Sequence, residues 1–560
     1  MNRIHKCISV LSLLLALAVA GYAQRDLGAK PLGSGGVLSY EQAAYDVKMY
    51  DIRARIDPEN RSIEASSIIT AEIVSPVDWF VLDLDTPFRV TGVLATFTGK
   101  EAHELNVERR GGQIWIKFPW TVQPGKTVQV QVSYEGKPRV APRPPWVGGF
   151  IWEKTASGAD WISNACQNDG ADCWIPIKDH PSDKPDMVAL HITVPGDLYV
   201  ASIGRLQDIV SNLDGTLTYN WLMKTPISNY EIVLNIAPYV LVEDTYKSIA
   251  GQDIQMIFYA LPESKGKAQI ILDETKKYLA FYEKYLGPYA FRDEKLGIAE
   301  TSHLGMEHST IIAYGNKFQI NEMGFDWLML HEFGHEWFAN TVTCWDWRDM
   351  WIHEGFQSFM DTLYVEQIAG REAYLKAMQG RMRNTRNKQP VAPHEPRISY
   401  EIYMQAPDYT KSDGDIYGKG AVVLHTLRHL IGDDAFFRAL RRMVYPTKAM
   451  EAATDGSQVH FATTDDFLTI AEQESGMKLG WFFELYLRQP ALPELVSDRS
   501  GSMLKLSWKT PGDLPFPMPV DVSVDGKTRK VLMNGGTAEL SVPDSANVVI
   551  DPEGWVFRKQ

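Results

Sequence analysis

The sequence predicts a multidomain α+β protein, with strand text at both ends of the chain and helical text between them. Three observations carry that reading. From Tyr45 onward apolar residues alternate with polar ones, at Tyr50, Ile52, Ala54 and Ile56 and again at Val128, Val130, Val132 and Tyr134. That is the period of half-buried strands. After about Ser264 the period lengthens, and helical text dominates from Phe325 to about Arg488. Alternation then returns beyond Pro493.

Taken in order, the chain opens with an export signal over residues 1–23. Arg3 and Lys6 precede an apolar run from Ile8 to Ala20, and Gly21-Tyr22-Ala23 supplies the small residues of a cleavage site. The alternative is an N-terminal anchor, but the run is short for a hydrocarbon core of about 30 Å. Residues 24–44 form a tail and 45–245 an N-terminal β domain, punctuated by turns such as Asp57-Pro58-Glu59-Asn60 and Pro124-Gly125. Residues 246–493 form the helical domain, where KGKAQIILDETKKYLAFYEKYLG is an amphipathic helix stopped by Gly287-Pro288 and KLGIAE a short strand. Residues 494–560 form a small β module with the hairpin signal Asp525-Gly526. A chain of 560 residues exceeds one ordinary core, which agrees with several domains.

Composition bounds the partners. Apolar residues make up 45% and charged residues 22%, the balance of a globular protein. The signal holds two cations and no acid, so its removal takes the net charge from −14 to −16. An acidic surface argues against nucleic acid and anionic membranes as main partners. The expected mature form is a periplasmic or secreted protein with no stable membrane insertion. Cys7 leaves with the signal. Cys166 and Cys173 either close a small disulfide loop or remain two thiols, and Cys344 has no evident partner.

HEFGH at 331–335 is the central motif. On a helix, side chains four apart share a face, so His331 and His335 can bind one ion while Glu332 reaches a water beside it. Eighteen residues separate His335 from Glu354 in WIHEGFQSFMDTLY, itself a helical segment. A helix–turn–helix returns Glu354 to the first helix, and two His with one Glu is a catalytic zinc set that leaves a fourth position open. One Zn2+ per chain is expected. His425 and His429 are also four apart, but Thr426 stands where the acid would be. They read as ordinary helix residues, as do His353 and His303. Asp361 and Asp349 are available to orient an imidazole, but both read more readily as solvated helix acids.

HEFGHEWFANTVTCWDWRDMWIHEGF resembles the gluzincin aminopeptidases related to membrane alanyl aminopeptidase and leukotriene hydrolase, with their H-E-x-x-H-x-W-F-x-N helix and following W-x-x-E-G-F. LGMEH at 304–308 is similar to the family's G-x-M-E-N segment. IYGKGAVVLHTL at 416–427 resembles the segment with the catalytic tyrosine, and CQNDGADCWIPIKDHPSDKPD resembles the end of the N-terminal domain. The resemblance implies a thermolysin-like, mainly helical zinc peptidase domain. It implies Tyr417 as a catalytic hydroxyl, Glu307 as the group that fixes a substrate's free amine, and Gln167 as a residue lining the cleft. Gly305 lets substrate backbone approach closely. The chain departs from the family at His308, where Asn is usual, and at Leu304, where Gly is usual. Its β tail replaces the long helical domain of larger members, which predicts a more open site.

These residues imply hydrolysis of N-terminal residues from peptides with a free N-terminus. Glu332 would be the general base, and Tyr417 would share the developing oxyanion with the metal. The competing readings are an endopeptidase or other hydrolase at the same metal, and a non-catalytic peptide-binding scaffold. A scaffold would be expected to have lost at least one of these residues.

Overall fold

The structure, a computed structural model, describes residues 33–559. The export segment at 1–23 lies outside the described residues. Among the described residues, no helix is long and apolar enough to cross a membrane.

The N-terminal region is built on an eight-stranded sheet. Its centre is Tyr45–Asp57 paired antiparallel with Ser62–Ile73 on one side and parallel with Met187–Pro195 on the other. Tyr50, Ile52, Ala54 and Ile56 all point inward and are buried, as the period-two pattern requires. A three-stranded sheet (Val77–Asp83, Gln113–Val122, Val107–Arg110) and a four-stranded one complete the region. Asp160–Ala165 of the four-stranded sheet runs directly into the loop that carries Gln167.

The second body combines a five-stranded sheet with helices. Val240–Lys247 pairs with Asp253–Ala260, followed by Leu296–Glu300, Ile311–Tyr314 and the edge strand Gly305–Met306. The domain boundary expected after residue 245 therefore falls inside a strand. Val240–Lys247 alternates just like the strands before it, and alternation does not show which sheet a strand joins. The helices that matter for the site are α1 (Lys265–Leu286), α2 (Trp327–Gly334), α3 (Trp351–Ala369), α4 (Arg371–Asn384), α5 (Ser399–Tyr403) and α6 (Asp415–Ile431). One hydrophobic core runs without a break through the N-terminal sheets and these helices.

The C-terminal residues form two three-stranded sheets around a small core of their own, with Leu504, Leu506, Val520 and Val522 inside. The last segment returns to the helical body. Trp555 stacks on His425 with ring centroids 4.3 Å apart, and its carbonyl accepts from the Thr426 hydroxyl at 3.0 Å. His425 and His429 are thus packing residues for this strap.

Candidate metal centre and active site

Helix α2 is positioned from its N-terminus. Asp326 caps it by accepting the Met329 N–H at 3.0 Å, and Tyr314 and Asn316 hold the Asp326 carboxylate in turn. His331 lies in the last turn and His335 closes the helix with helical backbone angles, which preserves the four-residue spacing. Glu354 sits in the first turn of α3 and is returned to α2 by the strand Val342–Cys344 and a short 3-10 turn at Trp347–Asp349.

Three atoms converge. His331 Nε2 and His335 Nε2 are 3.3 Å apart, and Glu354 Oε2 stands 3.6 Å from the first and 3.4 Å from the second. Tetrahedral ligation at about 2.0–2.2 Å spaces ligand atoms roughly 3.3–3.6 Å apart. Glu354 Oε2 is buried with no hydrogen-bond partner, a costly arrangement unless a cation completes it. The donor set therefore fits one zinc-sized ion.

The outer imidazole nitrogens are also held. His331 Nδ1 lies 2.8 Å from Asp361 Oδ2, and His335 Nδ1 lies 2.9 Å from the Phe338 carbonyl oxygen. Both contacts turn Nε2 toward Glu354 Oε2, where the three residues would hold an ion. Asp361 is thus the orienting acid; Asp349 instead accepts from the Thr464 hydroxyl. Burial disfavours charge on both imidazoles, but the Glu354 and Asp361 carboxylates outweigh it.

 In the metal-free protein Glu354 holds His335 up to about 9, and Asp361 holds His331 well above its ordinary value. An incoming metal therefore displaces protons from the pair.

Glu332, Glu307, Gly305 and Gln167 line the same cavity of about 280 Å³ as the three ligands, together with Leu304, Trp327 and Tyr417. Burial raises the Glu332 carboxyl above the usual carboxylate range, with Glu307 and Glu354 adding to the shift and the imidazoles opposing it. Atoms of Glu307, Glu332 and His335 lie within 4.8 Å of one another, which makes the space between them favourable for a cation. Glu307 follows the edge strand directly. It accepts from the Tyr230 hydroxyl at 2.9 Å and from the Gln167 amide. A Cβ on Gly305 would stand 2.8 Å from both Glu332 Oε1 and Leu328 Cδ1, so a side chain there would displace the Glu332 carboxylate.

Tyr417 enters from α6, and its hydroxyl donates to Glu354 Oε1 at 2.8 Å. Two residues outside the sequence reading join the site. The Tyr403 hydroxyl stands 2.9 Å from the same Glu354 oxygen and 3.0 Å from Gln167 Oε1. Asn340 donates to the Glu307 carbonyl at 2.9 Å. Asn340 is the Asn of the H-E-x-x-H-x-W-F-x-N pattern and so carried a signal; Tyr403 lies in the five-residue α5 and carried none. His308 is buried with neither ring nitrogen hydrogen-bonded. Cys166 and Cys173 are free thiols with Sγ atoms 3.2 Å apart. A second cavity of about 610 Å³ adjoins the first and shares Trp146 and Tyr417 with it.

Residues 270–486 match the model of the peptidase family M1 domain. The chain is 22% identical over 432 residues to the tricorn protease-interacting factor F2 of Thermoplasma acidophilum, which covers 73% of this chain and 51% of that protein. It is 25% identical over 383 residues to aminopeptidase N of Haemonchus contortus, covering 63% and 37% respectively. The chain spans about half the length of the first of these curated relatives. Among solved structures, a mutant M1 zinc metallopeptidase from Deinococcus radiodurans bound to a Tyr-Ser-Ala substrate superposes with a TM-score of 0.65 at 22% identity. That match covers 82% of this chain and 98% of the other, and it is a likeness of fold. The ligand triangle and the fold agree with the matched segment: residues 270–486 are similar to a peptidase family M1 domain.

Proposed function

We propose that this protein is a zinc aminopeptidase that removes N-terminal residues from peptides with a free N-terminus. The observation that carries the reading is the sharing of one cavity of about 280 Å³ by the three-atom metal cradle and the Glu307–Gln167 pair. A carboxylate beside the metal attracts a substrate ammonium and thereby sets the cut one residue in.

When bound, zinc supplies Lewis-acid activation of water and of the scissile carbonyl. The chain's own residues do the rest. Glu307 and Gln167 hold the amine. The edge strand Gly305–Met306 has a free side along which substrate backbone can lie. Glu332 takes a proton from the attacking water and delivers it to the leaving amine, so the carboxyl ends the cycle as it began. Tyr417 donates to the carbonyl oxygen as that oxygen gains charge.

Export to the periplasm or beyond is part of the same proposal, supported by the basic, apolar and small-residue segments of residues 1–23. The central experiment is a panel of aminoacyl amides assayed with and without a strong chelator. Activity on free-amine substrates that chelation abolishes and zinc restores is the expected result. Equal activity on N-acetylated substrates would replace the reading with an endopeptidase or another hydrolase.

A further inference from the structure

A continuous run of polar side chains joins the amine anchor to the metal ligand, and it holds fewer protons than contacts. The Gln167 amide donates to Glu307, and Gln167 Oε1 faces the Tyr403 hydroxyl at 3.0 Å. That hydroxyl also stands 2.9 Å from Glu354 Oε1, and the Tyr417 hydroxyl stands 2.8 Å from the same oxygen. A phenol has one proton to give. Tyr403 therefore donates to Gln167 or to Glu354, but not to both. Glu354 Oε1 has two prospective donors, while Oε2, the atom facing the imidazoles, has none.

Tyr403 is 7% exposed and fixed to the loop it serves. At the start of α5, the Ser399 hydroxyl donates to the carbonyl of Asn168, the neighbour of Gln167, at 2.6 Å. At its end, the Tyr403 carbonyl accepts from the Asp413 N–H at 2.8 Å. The ring thus stays between Gln167 and Glu354, and only its hydroxyl hydrogen needs to move.

We propose that Tyr403 is a positioning residue that turns its proton from Gln167 to Glu354 when a substrate amine arrives, which frees Tyr417 for the substrate carbonyl oxygen. The proposal rests on the aminopeptidase reading. An ammonium brings N–H donors to Glu307 and Gln167 Oε1. The displaced Tyr403 proton turns to Glu354 Oε1, so that oxygen stays satisfied once Tyr417 leaves it. No covalent bond forms or breaks, since three hydrogen bonds exchange partners. An N-acylated substrate lacks the ammonium and leaves Tyr417 held on Glu354. The free amine consequently raises turnover as well as affinity.

The test compares Tyr403→Phe, Tyr417→Phe and the double variant as full-length, zinc-loaded proteins on aminoacyl amides. Tyr403→Phe is expected to lower kcat by about tenfold or more, since it weakens the delivery of one oxyanion donor, with KM little changed. Its zinc affinity, read by chelator competition, and its melting temperature should stay near wild type. The double variant should lose no more than Tyr417→Phe alone, because the two hydroxyls act in series. Losses that multiply, an unchanged kcat, or a parallel loss of zinc would overturn the proposal. If Tyr403→Phe does not fold, Gln167→Met tests the same step from the other side. Tyr403 is then left on Glu354, so KM should rise while kcat holds, and a kcat that falls in step would refute it. A wild-type protein inactive on free-amine substrates would sink both readings; an active one with an unaffected Tyr403→Phe variant would sink this one alone.

Discussion

Gly355 and Gly420 meet backbone to backbone: a Cβ built on Gly420 would stand 2.8 Å from the Gly355 Cα, and one on Gly355 would stand 3.0 Å from the Gly420 Cα. This contact joins α3, which carries Glu354, to α6, which carries Tyr417. It is what allows the Tyr417 hydroxyl to reach Glu354 at 2.8 Å. Gly420→Ala should therefore push the helices apart. Overpacking of this kind costs about 1–3 kcal/mol, against a gain of up to about 1 kcal/mol in helix propensity. The expected outcome is a modest drop in melting temperature with a disproportionate fall in kcat. Gly418→Ala, where an added Cβ meets nothing within 4 Å, should leave melting unchanged or raise it.

That contact also shows what could be read from the sequence. His331, His335 and Glu354 were legible because a metal needs its ligands on fixed helical faces, and the spacing records those faces. Gly355 and Gly420 were visible as letters, but their purpose depends on two helices that are distant in sequence. Tyr403 was not legible at all, since α5 has too few residues for a period and its role comes from a loop 236 residues away. Asp361 stood out only as one of two acids, and the hydrogen bond to His331 is what separates it from Asp349. The strand Gly305–Met306 is too short for alternation to register.

Asp361 holds the outer nitrogen of His331, and its other oxygen accepts from the Gln357 amide at 3.0 Å. Asp361→Asn keeps the shape and removes the charge. Loss of such a partner typically costs 10–100-fold in metal affinity. The check is zinc competition against a fluorescent chelator at fixed pH. Affinity equal to wild type would show that the imidazole needs no carboxylate there.

His303 supplies a pH dependence that is separate from the ligands. Burial lowers its pKa from 6.5 to about 4, so the folded protein keeps the ring neutral while the unfolded chain protonates it. The unfolded state then binds the extra proton, and the contribution to stability is complete above pH 6.5 and lost as pH falls through about 4. A shift of this size corresponds to roughly 3 kcal/mol. His303→Gln should flatten the fall in melting temperature between pH 6.5 and 4. An unchanged slope in the variant would assign the acid sensitivity to other groups.

Substrate length should be limited weakly. Neither cavity at the site is lined by any described residue beyond 493, because the β module binds the far part of α6 through Thr426 and Trp555 rather than covering the cleft. The cavity of about 610 Å³ that adjoins the metal pocket leaves further space beside the reacting residue. Since none of the described residues beyond 493 lines the cleft, each added residue is expected to extend toward solvent and meet little protein, so that it neither gains much binding nor encounters a wall. In a series from dipeptides to decapeptides sharing one N-terminal residue, kcat/KM should vary by no more than about tenfold, within about 1.4 kcal/mol of transition-state binding. A steep collapse beyond tripeptides would mean that some part of the chain closes over the site during turnover.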